Sequence, residues 1–356
     1  MTRRWTAGLA LVLALAGCGG DPADVGAPDR GLVGLAMPTK GSDRWIGDGE
    51  NMNAQFSLLG YRTSLQYADD DTGVQISQIQ QMIDDGAKAL VVGAIDGTKL
   101  KDVLGKAAAA KIPVISYDRL IRDTPDIAYY ATFDNFKVGV MQGTYIVETL
   151  RLGRGGGPAN IELFAGSADD NNATFFFNGA MSVLTPYIRS GALTVRSGET
   201  AFAEVATQRW DGKVAKERMA RLLRTTYANQ RVNAILSPYD GITRGIIEAL
   251  REGGYAANAL PVLTGQDAEI DSVKLIAGGQ QGQTVYKDTR ELAKVAVQMV
   301  NSLVTGGDPI VNDTKQYNNG VKDVPTFLLQ PVTVTKDNYQ RVLVDGGYYT
   351  AAQISG

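Results

Sequence analysis

An α/β architecture of two doubly wound lobes, each a parallel sheet covered by helices, is the fold this sequence predicts. Short, nearly unbroken apolar runs alternate with segments whose apolar residues recur at helical spacing, the rhythm of βαβ repetition. That rhythm runs to about residue 133 and then begins again. The 356-residue chain is also longer than one hydrophobic core usually serves.

The elements follow in order. Residues 32–37 form the first apolar run, a strand buried on both faces. Trp45, Met52, Phe56 and Leu59 then share one face of a helix. Strand 62–67, helix 75–85 (Ile76, Ile79, Ile83) and strand 89–94 come next. Helix 100–110 (Leu100, Val103, Leu104, Ala107) precedes strand 114–117, which Pro113 introduces. Strand 129–133 leads into helix 136–150, and the glycine-rich segment 151–158 makes a break before strand 160–164. Helix 173–184 is expected to stop before Pro186. Strand 193–196, helix 213–226, strand 234–237, helix 242–251 and strand 262–265 continue the series. Helix 268–277, strand 283–286 and helix 289–305 complete it, and residues 324–332 form a last extended stretch containing Pro325 and Pro331.

The N-terminus has a separate logic. Arg3 and Arg4 precede an apolar run over 7–16, and Leu15-Ala16-Gly17-Cys18 closes it. A basic start, a short apolar run and small residues before a cut make an export signal. This order resembles the bacterial lipoprotein signal, or lipobox, in which the cysteine carries a lipid. The alternative is an ordinary signal with an incidental cysteine. The run is too short to span a bilayer of roughly 30 Å. Residues 1–18 are therefore expected to be a leader ending at lipidated Cys18, and 19–30, rich in glycine, proline and aspartate, a flexible tether. The expected location is extracytoplasmic, anchored to the cell membrane by lipid.

Composition narrows the function. The chain has no histidine and a single cysteine, Cys18, so serine–histidine and cysteine–histidine catalysis, most zinc sites and internal disulfides are excluded. A net charge of −3 without basic blocks gives no footing for nucleic acid. The glycines at 153 and 155–157 precede a strand and lack the lysine of a phosphate loop. No aspartate run has calcium-loop spacing. No enzyme, metal or cofactor is expected.

In open parallel sheets, ligands bind beyond the carboxyl ends of the strands. Those positions hold Arg44 and Trp45, Asp96, Asp118 and Arg119, Asn172, Trp210, Asp240, Asp267 and Lys287. A sugar hydroxyl donates and accepts, so carboxylates with Arg, Lys or Asn suit it. The C–H faces of a pyranose suit an indole plate. Plainer roles compete with this one. Asp70 and Asp71 are expected to cap a helix, Asp240 and Asp267 have that option too, Asp118–Arg119 has the option of a private ion pair, and Trp45 of a core position.

The strings Gly34-Leu35-Ala36-Met37-Pro38-Thr39, Leu65-Gln66-Tyr67-Ala68-Asp69-Asp70-Asp71, Ser116-Tyr117-Asp118-Arg119 and Tyr130-Ala131-Thr132-Phe133-Asp134-Asn135 resemble the xylose-binding family of periplasmic sugar-binding proteins. So do Asp169-Asp170-Asn171-Asn172, Ser237-Pro238-Tyr239-Asp240-Gly241, Gly265-Gln266-Asp267, Tyr286-Lys287-Asp288 and Val344-Asp345-Gly346-Gly347. Within the family, the likeness is strongest to the multiple-monosaccharide receptors of plant-associated bacteria.

The resemblance implies a type I periplasmic binding fold, two lobes joined by a three-crossing hinge, that closes on one monosaccharide and presents it to an ABC importer permease. On that pattern 31–133 plus 287–323 form the N-terminal lobe and 134–286 plus 333–356 the C-terminal lobe. The hinge lies at 133–135, 286–287 and 324–332. The resemblance implies ligand binding by Arg44 and Trp45 from the first lobe, with Asp118 and Arg119 on the ring hydroxyls and Asp96 less firmly. It implies the same for Asn172, Asp240, Asp267 and Lys287 from the second lobe and the hinge, with Trp210 as the stacking plate opposite Trp45. The expected state is a monomer, and the ligand a pyranose such as galactose, glucose, arabinose or xylose. The rival functions are a receptor presenting its liganded form to a membrane kinase, and a glycoside hydrolase using Asp118 and Asp267.

Overall fold

The structure, a computed structural model, describes residues 29–356; the leader, Cys18 and nearly all of the tether lie outside the described residues. The first series is β1 (Leu32–Met37), α1 (Asp43–Leu58), β2 (Arg62–Tyr67), α2 (Thr72–Asp84), β3 (Ala89–Val92), α3 (Lys101–Ala109), β4 (Val114–Tyr117) and β5 (Tyr129–Phe133). The second opens with α4 (Asn135–Thr149), β6 (Ala159–Leu163), α5 (Asn171–Arg189), β7 (Leu193–Val195), α6 (Phe202–Val205) and α7 (Gly212–Thr225). It continues through β8 (Ala234–Leu236), α8 (Asp240–Glu252), β9 (Val262–Leu263), α9 (Ile270–Ala277) and β10 (Gln283–Tyr286). Then come α10 (Thr289–Val304), β11 (Thr326–Leu329), β12 (Val332–Thr335) and α11 (Ala351–Ser355).

The first sheet is parallel throughout, in the order β11-β5-β4-β3-β1-β2. Its inner strands β1, β3 and β4 are largely apolar and buried because both faces are covered, whereas the edge strand β2 is polar and half-buried. One face packs Val33, Leu35 and Met37 against α1 and α10, and the other packs Ala36, Leu90 and Val92 against α2 and α3. The second sheet runs β7-β6-β8-β9, also parallel. It continues through backbone bonds from Gly282 N to Leu263 O (3.1 Å) and Val285 N to Gly265 O (3.1 Å) into β10, where β12 pairs antiparallel. The chain crosses between sheets after β5, after β10 and between β11 and β12.

Several local expectations change. Residues 324–332 are not one extended crossing: β11 belongs to the first sheet, and β12 adds an antiparallel edge to the second. Helix α5 runs through Pro186 to Arg189. Proline costs one helical hydrogen bond, and here the helix is held by its side: Phe176, Phe177, Ala180 and Leu184 are buried. Its backbone also presses on α4, where a Cβ on Gly139 would strike the Phe176 carbonyl. Helices α2 and α4 begin earlier than their apolar spacing suggests, because Asp71 accepts from Val74 N (3.0 Å) and Asp134 from Lys137 N (3.0 Å). Leu59 leaves the apolar face and becomes the C-cap of α1.

Candidate functional site

Both sheets reverse strand order near their middle, at β1/β3 and at β6/β8, and each reversal opens a crevice at the strand ends. The crevices meet in one cleft of about 680 Å³ between the sheets. Arg44, Trp45, Asp118, Arg119, Asn172, Trp210, Asp267 and Lys287 all line it.

The deep wall is a buried ion cluster drawn from both lobes. Arg44, 7% exposed on the first turn of α1, reaches Asp118 through two nitrogens (2.6 and 3.1 Å), Asp48 at 3.3 Å and Asp267 at 3.7 Å. Lys287, 2% exposed, lies 3.0 Å from Asp267 and 3.9 Å from Asp118. Burial opposes ionisation of Asp118, but Arg44 and Lys287 outweigh it and hold its carboxyl down to about 2. Asp48 accepts a hydrogen bond from the Tyr117 hydroxyl at 2.5 Å and is wholly buried. There burial prevails over Arg44 and lifts the carboxyl to about 7.

Asp118 and Arg119 are therefore not a private pair. Asp118 turns into the left-handed region (φ 58°), a conformation costly outside glycine. Three donors hold it there through its carbonyl: Tyr130 Oη (2.6 Å), Asn172 Nδ2 (2.7 Å) and Thr132 Oγ1 (3.0 Å). Arg119 instead crosses to Asp170 at 3.2 Å, while Asp170 caps α5 by accepting from Asn172 N (2.9 Å). Positive φ recurs at Asp69, Asp70, Arg209, Trp210 and Asp267, all of which line the cleft.

Trp210 rests on Gly166, where a Cβ would collide with its ring, and stands edge-on to Phe176 (6.1 Å, 69°) and Tyr239 (6.1 Å, 86°). Among the described residues, its Nε1 and the Oε1 of Gln266 are buried without a partner, an orphan donor and acceptor in the lining. Trp45 is part of the first-lobe core and also lines the cleft, with the Arg44 and Arg119 guanidinia 4.9 and 5.1 Å from its ring centre.

Two expected ligand residues lie elsewhere. Asp96 turns its carboxylate onto Thr98, accepting from the amide (2.8 Å) and hydroxyl (2.7 Å), and is not part of the lining. Asp240, fully buried behind the cleft, accepts from Glu269 N (2.9 Å), Gln281 Nε2 (2.8 Å) and Thr284 Oγ1 (3.0 Å). Each satisfies nearby donors, which strand-end position alone does not reveal. Conversely, Asp70, expected only as a cap, lines the cleft mouth, and Asp71 alone caps α2. Sequence reasoning missed Asp48 and Phe176. Both sit one helical turn from named residues, Arg44 and Asn172, a spacing that would have flagged them.

Residues 33–308 match the family described as periplasmic binding protein domain. The chain is 57% identical to the multiple sugar-binding periplasmic protein of Azospirillum brasilense over 92% of each chain. It is 33% identical to the D-xylose-binding periplasmic protein of Escherichia coli over 90% of this chain and 92% of that one. Among solved structures, an ABC transporter solute-binding protein from Clostridium phytofermentans with bound β-D-glucose superposes with a TM-score of 0.88. That pair shares 45% identity and covers 91% of this chain and 99% of the other.

Proposed function

Because this chain belongs to the periplasmic binding protein domain family, we propose that it captures an aldose pyranose in its cleft and delivers it to an ABC importer. The observation that carries the proposal is the lining itself. Arg44, Asp118, Asp267, Lys287 and Asn172 converge from both lobes beside the orphan polar atoms of Trp210 and Gln266. Ring hydroxyls both donate to carboxylates and accept from cations, and the indole of Trp210 offers a plate for C–H groups. The β-D-glucose bound by the Clostridium relative supports a monosaccharide of this class.

A binding role accords better with the electrostatics than hydrolysis does. A glycosidase needs one carboxyl free to carry the proton of a general acid, and both members of the candidate pair are engaged by cations, Asp118 with Arg44 (2.6 Å) and Asp267 with Lys287 (3.0 Å). Export, a lipid anchor at Cys18, a permease partner and a monomeric state complete the proposal. The support for export and anchoring is the order of residues around Cys18.

Trp5 belongs to the leader, so Trp45 and Trp210 are the only tryptophans of the mature chain. Titrating D-glucose, D-galactose, D-xylose and L-arabinose is expected to change their fluorescence saturably. No response, together with no heat in calorimetry for any of these sugars, would overturn the proposal.

A further inference from the structure

Ser42 occupies the N-cap of α1 in extended conformation (φ −128°, ψ 129°), yet its hydroxyl makes no capping bond. An N-cap serine ordinarily accepts from the amide of the second or third helical residue, here Arg44 or Trp45. Instead Ser42 Oγ donates to Glu269 Oε1 on the other lobe at 3.0 Å. The same oxygen accepts from the Tyr239 hydroxyl at 2.6 Å, and Arg244 lies 2.6 Å from Oε2. The Glu269 amide donates to buried Asp240, which fixes the carboxylate's mount. Ser42 stands two residues before Arg44, and Glu269 two after Asp267, so the bond ties together the segments that carry the cleft's ions.

We propose that Ser42, which lines the cleft, and Glu269, which stands behind it, form a latch that sets how long a bound ligand stays. In the closed cleft the hydroxyl donates to a charged acceptor; with the lobes apart it is free to cap α1. Each state thus offers Ser42 one partner, and closure is favoured by the difference between a charge-assisted bond and a helix cap. The proposal takes from the sugar-binding reading only the ligand whose release is timed.

Ser42→Asp is the informative variant: it caps α1 at least as well but sets a like charge against Glu269. D-glucose is expected to leave it about tenfold faster, the worth of one bond to a charged group. Its association rate and ligand-free melting temperature should not fall. Ser42→Ala should also speed release, and Ser42→Thr should restore the wild-type rate. A Ser42→Asp protein that folds and releases D-glucose at the wild-type rate overturns the latch. Should Ser42→Asp not fold, an unchanged rate in Ser42→Ala overturns it. If the wild-type chain binds no aldose, the sugar reading fails separately. Small-angle scattering of ligand-free protein then decides: a larger radius of gyration for Ser42→Asp supports the latch, and equal radii overturn it.

Discussion

Asp48 and Asp118 lie against the same guanidinium, and opposite forces act on their carboxyls. Arg44 and Lys287 face three carboxylates, Asp48, Asp118 and Asp267, so one acid is in excess in a buried cluster. Asp118 has both cations within 4 Å and stays ionised; Asp48 has one and is lifted to about 7 by burial. A free aspartate titrates near 4, so the folded state holds the Asp48 proton more tightly than the unfolded chain. The stability from that proton is complete below about pH 4 and is lost as pH rises through 7. Asp118 has the opposite sign: its contribution is complete above about pH 4 and is lost as pH falls towards 2. Asp48→Asn is expected to flatten the decline in melting temperature between about pH 4 and 7. Scanning calorimetry across that range checks it, and an unchanged slope would assign the titration to another group.

At the scale of elements, the segment between β9 and α9 bears the greatest demand. Asp267 and Ala268 both adopt positive φ (87° and 50°), and the turn they make aims the Asp267 carboxylate at Lys287 and Arg44. Asp240 at the start of α8 holds the far side of this turn by accepting from Glu269 N, while Thr284 Oγ1 accepts from Ala268 N (3.1 Å) and donates to Asp240. The residue expected to touch ligand is thus a support for one that lines the cleft. Asp240→Ala would leave three donors buried without an acceptor, at about 1–3 kcal/mol each and less than additively. A loss of roughly 3–5 kcal/mol in urea unfolding is expected. A loss below about 1 kcal/mol would mean that the turn holds itself.

Across the whole molecule, three crossings join two sheets, and polar contacts bridge the cleft: Arg119–Asp170, Lys287–Asp267, Arg44–Asp267 and Ser42–Glu269. Such contacts have defined distances and few stable intermediates, which suits a two-position hinge. A ligand held by both lobes stabilises them together. At a hundred times its dissociation constant it adds about 2.7 kcal/mol, so D-glucose is expected to raise a single melting transition by several degrees. Two transitions, only one of which moves with sugar, would show that the lobes fold and bind independently.

The alternation of buried strands and helices was determined by sequence alone, because a strand covered on both faces must be apolar throughout, and Leu32–Met37 and Val114–Tyr117 announce themselves. The strand-end rule likewise singled out Arg44, Asp118, Asp267 and Lys287, since parallel topology fixes which end faces the crevice. Pairing was not legible. That Arg119 crosses to Asp170, that Asp96 turns onto Thr98, and that Asp240 works behind the cleft depend on residues distant in the chain or on a local turn. A carboxylate's role is set by the donors that reach it within about 3 Å, and only the tertiary structure decides which ones do.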